Sequence, residues 1–157
     1  MKISARWIQQ LFPFDVSVEQ AAQVLTATGL EVEGVEHVED VPGGLAGVVV
    51  GHVTSVAPHP NADRLRCCKV DVGTDVLDIV CGASNVAEGQ KVPVATVGCT
   101  LHPADGEPFK IKKGKIRGEV SLGMICAEDE LGLGVSHDGI LVLDDAAQVG
   151  QPLAEFI

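Results

Sequence analysis

A small β-barrel with a short helical arm before it is the architecture this sequence predicts, mainly β and α+β overall. Three observations lead there. From residue 48 onward, six short apolar runs separated by turn residues follow one another within about a hundred residues. Helical periodicity is confined to the first forty residues or so, apart from one turn near AEDELG (127–132). No βαβ alternation and no repeat period are visible, which disfavours a Rossmann sheet or a solenoid and favours a closed or nearly closed β structure.

The arm is legible residue by residue. Ser17 opens a capping box with Gln20, and Val18, Ala21, Ala22 and Leu25 follow at helical spacing until Gly29 stops the helix. A shorter helix is expected from about Ser4 to Leu11, presenting Trp7, Ile8 and Leu11. LEVEGVEHV (30–38) alternates Leu30 and Val32 with Glu31 and Glu33, which predicts a half-buried strand whose phase shifts at Gly34. Helix, helix and strand make a poor core alone, so this arm must pack on something else. VPGG (41–44) reads as the junction. The expected organisation is an α+β arm over 1–39, a barrel over 40–151 and a trailing segment over 152–157.

The candidate strands of the barrel are VVVGHVTSV (48–56), LRCCKVDV (65–72), VLDIVC (76–81), KVPVATVG (91–98), FKIKKGKIRG (109–118) and GILVL (139–143). Hydrophobic residues make up 46% of the chain and aromatics 3%, with no Tyr, so the interior must be built from aliphatics and Ala. No apolar run approaches the length of a membrane span, and MKISARWIQQLFPF lacks the pattern of a signal peptide. Five cysteines with no C-x-x-C pair read as reduced core thiols of a reducing compartment, which makes the cytoplasm the default.

Charge is distributed unevenly. The chain has a formal net charge of -11, yet five of its eleven Lys and Arg lie in FKIKKGKIRG. No acid falls between 108 and 118, and from 118 to the end there are eight acids and no Lys or Arg. Before Gly114, Phe109 and Ile111 share one parity; after it, Ile116 has the other. A β-bulge at Lys113-Gly114 restores Phe109, Ile111 and Ile116 to one inner face and collects Lys110, Lys112, Lys115 and Arg117 on the outer face. Two readings stay open at this point: a solvated strand face that discourages edge pairing, or a footprint for a polyanion. A protein partner is a third. A smaller cluster, Arg64, Arg66 and Lys69, follows a turn bearing His59 and Asn61, at the strand 1–2 loop and strand 2 where small oligonucleotide-binding barrels hold ligands.

Catalytic patterns fail on inspection. Ser121 in EVSLG lacks the first glycine of a nucleophile elbow, because Glu119 occupies it. Gly114-Lys115 resembles the end of a phosphate loop, but Phe109 replaces its first glycine and Ile116 its Ser or Thr. His137-Asp138 reads as a turn, and His52, His59 and His102 lack metal-ligand spacing.

Four ordered blocks carry a family resemblance: HPNADRLRCCKVDVG (59–73), DIVCGASNV (78–86), KVPVATVG (91–98) and KIRGEVSLGMICAEDELGL (115–133). Together they resemble the tRNA-binding domain of the oligonucleotide/oligosaccharide-binding (OB) fold, a five-stranded Greek-key barrel. With MKIS and TGLEVEGVE (28–36), the whole chain is similar to the N-terminal region of the bacterial phenylalanine-tRNA ligase β-subunit family. The resemblance implies a piece of a longer chain in a heterotetramer of two α and two β subunits. The α subunit would hold the site for phenylalanine, ATP and magnesium, so no cofactor is expected in this segment, which would be non-catalytic. Residues 1–39 would be half of a discontinuous small domain, and 152–157 the start of the returning segment. The resemblance, with the charge reading, makes Asn61, Arg64, Arg66, Lys69, Asn85, Lys110, Lys112, Lys113, Lys115, Arg117 and Ser121 the candidate tRNA-binding residues, Lys110, Lys112 and Lys113 resting on parity. The alternative role is a scaffold for subunit assembly with little tRNA contact. An exposed apolar flank around Trp7 and Leu11 is also expected.

Overall fold

A computed structural model describes all residues, Met1–Ile157, as two compact units, Met1–Val38 and Glu39–Ile157. None of its helices is long and apolar enough to cross a membrane.

In the first unit, α1 spans Ala5–Leu11 and α2 spans Val18–Ala27. Ser4 caps α1 by accepting from the Trp7 amide, and Ser17 and Gln20 form the reciprocal capping box of α2. Gly29, at φ 99°, ends α2 in a Schellman motif: its amide donates to Thr26 O at 3.2 Å and the Leu30 amide to Leu25 O at 2.9 Å. The strand expected over 30–38 does not form. A strand needs a neighbour to complete its hydrogen-bond ladder, and the unit provides only helices and connecting chain. Leu30 is 66% exposed and the Val32 amide turns back to Thr26 Oγ1 instead. No residue of this unit is buried, and Trp7, Leu11 and Phe12 are all exposed.

The second unit begins with a 3-10 turn, Pro42–Leu45, and continues as β1 (Val48–His59), β2 (Ala62–Asp71), β3 (Val76–Cys81), β4 (Lys91–Thr96), β5 (Thr100–Leu101), β6 (Phe109–Lys110), β7 (Gly114–Ile116), β8 (Glu119–Ser121) and β9 (Gly123–Ile125), ending in α3 (Leu153–Phe156). Five strands form one antiparallel sheet in the order β3-β2-β1-β4-β9. The first four are a Greek key, because β4 returns to the free side of β1. The long β1 is shared between neighbours: Val48–His52 pairs with β4, while His52–His59 pairs with β2 across a bulge between Val53 and Ser55. Its bend passes Gly51, where a Cβ would lie 2.6 Å from both Val70 Cγ1 and Val94 Cγ2. On the far side, the Leu122 amide donates to Asp78 O at 2.8 Å and the Val80 amide to Ser121 Oγ at 3.2 Å, nearly closing the barrel. The fold is the OB-like barrel that the sequence predicts.

Two layers of core account for the apolar runs of β1 and β4. Val53, Cys68, Val70, Ile79, Val92, Val94 and Ile125 fill the barrel. Val48, Val50 and Ala95 face the other way and pack with Cys99, Leu101, Ile111, Cys126, Leu131 and Leu153. Strands buried on both faces lose the polar alternation of a half-buried strand, hence VVV and VPVA in the sequence. No aromatic residue is buried, and all five cysteines are free thiols, four of them buried.

Two strand expectations need correction. GILVL (139–143) is not a strand; its one ladder pairing with the sheet is the isolated bridge Lys91–Leu143, and the fifth place is taken by Gly123–Ile125. FKIKKGKIRG is not one bulged strand. Phe109–Lys110 pairs with β5, Ile111 buries its side chain, and the chain leaves the sheet at Lys112–Lys113 before starting β7, which pairs only with β8. The phase slip is therefore a break between two strands with different partners. Ile111 alone is buried, while Phe109 and Ile116 are each 39% exposed.

Candidate nucleic-acid interface

The β7–β8 hairpin turns in two residues, Arg117 and Gly118, with φ 49° and 93°. Positive φ at both central positions marks a type I′ turn, whose twist suits a tight antiparallel hairpin. Gly adopts it freely; Arg117 does so at a cost. Arg117 thus lies at the tip of the hairpin rather than on a strand face.

The turn between β1 and β2 reaches this tip. His59, 5% exposed, has its Nε2 2.9 Å from Ile116 O and its Nδ1 3.0 Å from the Asn61 amide nitrogen. An amide N–H can only donate, so Nδ1 accepts and Nε2–H donates to the carbonyl. Asn61 Nδ2 donates to Arg117 O at 3.1 Å. Arg64 and Arg66 follow on β2, both exposed. The two basic segments, remote in sequence, are thereby stitched together.

Lys110, Lys112, Lys113, Lys115 and Arg117 are exposed and none is ion-paired; the same holds for Arg64 and Arg66. The other candidates are engaged within the protein. Lys69 is held by Asp78 at 2.8 Å, and that hydrogen bond and charge raise its pKa. Asn85 donates to Ile140 O at 2.9 Å and accepts from the Ile140 amide at 3.0 Å, fastening the 139–141 segment. Ser121 is a correction: it is 5% exposed, accepts from Val80 and donates to Gly123 O at 3.0 Å, so its hydroxyl closes the barrel instead of facing solvent.

A wide groove runs beside the ribbon. Lys110, Lys112 and Ile116 line it together with Met124, Glu130, His137, Asp138 and Ile140. Because its lining mixes two lysines with two carboxylates, the groove itself does not present a uniform potential to a polyanion, whereas Lys113, Lys115 and Arg117 lie outside that lining. His137, in this lining, pairs through Nδ1 with Asp129 Oδ2 at 2.9 Å. No group of three or more His, Cys, Asp or Glu is arranged to hold a metal ion. Sequence reasoning overlooked His59 as a structural clamp and Arg117 as a turn residue. The usable signal was RG between KI and EV, a two-residue hairpin turn.

The sequence pattern of the family described as "Putative tRNA binding domain" matches residues 48–152, which takes in every strand of the barrel and the whole basic ribbon. The chain belongs to this family. Curated relatives of this tRNA-binding domain extend the likeness beyond the barrel. The phenylalanine–tRNA ligase beta subunit of Porphyromonas gingivalis is 53% identical over 157 residues, covering 99% of this chain and 19% of the relative. That of Chlorobaculum tepidum is 52% identical over 161 residues, covering 100% of this chain and 19% of the relative. The tRNA-binding domain and its arm together span about a fifth of the length of these relatives. Among solved structures, the C-terminal domain of Plasmodium vivax p43 aligns over 66% of this chain and 56% of its own, at 28% identity and a TM-score of 0.46.

Proposed function

We propose that this chain is the N-terminal tRNA-binding portion of a phenylalanine-tRNA ligase β subunit and that tRNA phosphates run along Lys110, Lys112, Lys113, Lys115 and Arg117, with Arg64 and Arg66 extending the track. One observation carries the reading: these seven cations are exposed and unpaired on two adjoining segments of a chain whose net charge is -11. The segment itself is non-catalytic. The parent enzyme attaches phenylalanine to tRNA in the cytoplasm as a heterotetramer of two α and two β chains, with ATP and magnesium bound by the α subunit. Identity above 50% to β subunits of that name, over nearly the whole chain, supports this assignment.

With Phe109 the ribbon's single aromatic side chain, affinity must come mainly from phosphates rather than from stacked bases. Binding then falls with salt at a log–log slope of about -0.7 to -0.9 per phosphate neutralised. The test is tRNA titration of the full chain, wild type against a Lys110, Lys112, Lys115, Arg117 tetra-alanine variant, at two salt concentrations. The variant is expected to bind more weakly and with a shallower slope. Equal affinity and equal slope would remove the ribbon from the interface.

A further inference from the structure

We infer that His59 and Asn61 are positioning residues: a latch from the β1–β2 turn that holds the β7–β8 hairpin where Lys115 and Arg117 meet the ligand. This rests on the tRNA-binding reading above and adds how the footprint is kept in shape. The hairpin needs such a latch. It has only three residue pairs, Gly114–Ser121, Lys115–Val120 and Ile116–Glu119, and all three residues of β7 are exposed. A two-stranded ribbon of that size does not hold its place alone in water. Its base is tied to the barrel by Ser121 Oγ and the Val80 amide. Its tip is tied only from the other side, by His59 to Ile116 O and by Asn61 to Arg117 O.

Both bonds fall on consecutive carbonyls that lead into the turn, and Arg117 sits there at φ 49°. A non-glycine residue in that region persists when its surroundings over-determine it. The latch supplies that constraint from a buried imidazole whose orientation is fixed in turn by the Asn61 amide. Because Arg64 and Arg66 leave the same β1–β2 turn, the latch also fixes the spacing between the two basic segments. Without it, Lys115 and Arg117 would keep their charge but lose their place in the track.

Hydrogen exchange by mass spectrometry on the full chain, read on the peptide spanning 114–119, tests the latch directly. Asn61→Ala and His59→Asn, which lose the bonds to Arg117 O and Ile116 O, are expected to speed exchange there about two- to twelvefold, the factor of one ordinary hydrogen bond. His59→Gln, whose amide can still reach the carbonyl, is expected to keep most of the protection. In tRNA titrations, Asn61→Ala should weaken binding about two- to threefold, lower the salt slope by roughly one phosphate, and add little when combined with Arg117→Ala. Asn61 is exposed, so its variant reports even if the His59 variants do not fold. Wild-type protection of 114–119 in Asn61→Ala overturns the latch whatever the tRNA data. Lost protection with tRNA affinity unchanged in both Asn61→Ala and Arg117→Ala leaves the latch standing and overturns its part in tRNA binding. If Arg117→Ala weakens binding while Asn61→Ala only loosens the hairpin, the positioning role is likewise overturned and the footprint is kept.

Discussion

Lys69 and Asp78 stand directly opposite each other on β2 and β3, with Nζ 2.8 Å from Oδ1. The pair subtracts a cation from the basic surface at the strand where Arg64 and Arg66 remain free. Asp78→Asn is therefore expected to release Lys69 and to raise tRNA affinity about two- to threefold at low salt, an advantage that disappears as salt screens the added contact. The unfolding midpoint should hardly move, because both partners are largely exposed, at 60% and 58%, and such pairs contribute little. Filter binding at two salt concentrations, beside a urea melt, checks both halves.

The Asp129 carboxylate holds His137 above its ordinary pKa of 6.5, through their hydrogen bond first and through charge second, with Glu130 and Asp138 adding to the effect. The folded chain thus binds this proton more tightly than the unfolded chain does. The stabilisation is complete below 6.5 and is lost as pH rises through the higher folded value. An NMR titration of the His137 ring should show a midpoint above 6.5 that moves back toward it in Asp129→Asn.

Thiol chemistry should divide the cysteines one against four. Cys67 is half-buried, and desolvation followed by the charges of Glu119 and Asp78 raises its pKa. Burial pushes Cys68 up to about 11 and raises Cys81, Cys99 and Cys126 as well. Alkylation of the native chain near neutral pH is expected to label Cys67 slowly and the other four only on unfolding, with mass spectrometry counting the adducts.

Gly51→Ala should destabilise the barrel by about 1–3 kcal/mol in a urea melt, the range for overpacking a filled core. The new methyl would meet methyl groups from two different strands, Val70 on β2 and Val94 on β4, at 2.6 Å. Both strands would have to move apart to admit it. The same substitution at Gly89 has no steric neighbour but sits at φ 90°, so it reports backbone strain alone.

The barrel was legible because its chemistry is local. Turn residues punctuate strands whose apolar runs are long enough to count, and Ser17 with Gln20 announces α2 by a contact three residues long. What escaped is what depends on partners distant in sequence. Gly123–Ile125 is a strand because β4 accepts it, not because GMI has a strong pattern of its own. Residues 30–38 alternate like a strand but find no ladder in their unit. At the candidate interface, the clustering of Lys and Arg was plain in the sequence, whereas their geometry was not. Parity before and after Gly114 looks the same whether one strand bulges or two strands part. Ser121 and Asn85 are polar residues in family-like blocks, and only the fold reveals that their hydrogen bonds are spent on Val80, Gly123 and Ile140.

The long first strand also bears on the order in which the chain can fold. Its early half is paired with β4, and Val50 exchanges backbone hydrogen bonds with Gly150 and Gln151. Val49 bridges Pro152, and Leu153 is fully buried in the layer that Val48 and Val50 share. The opening segment of the barrel is thus secured by residues made about a hundred positions later. Such separations slow folding, because loop closure is imposed before the contacts that offset it are gained. On the ribosome, the β1–β2–β3 meander can assemble early, but its first strand keeps one edge open until residues 150–153 have emerged. During that interval the Val48–Val50 run is the part of the nascent chain most exposed to mispairing.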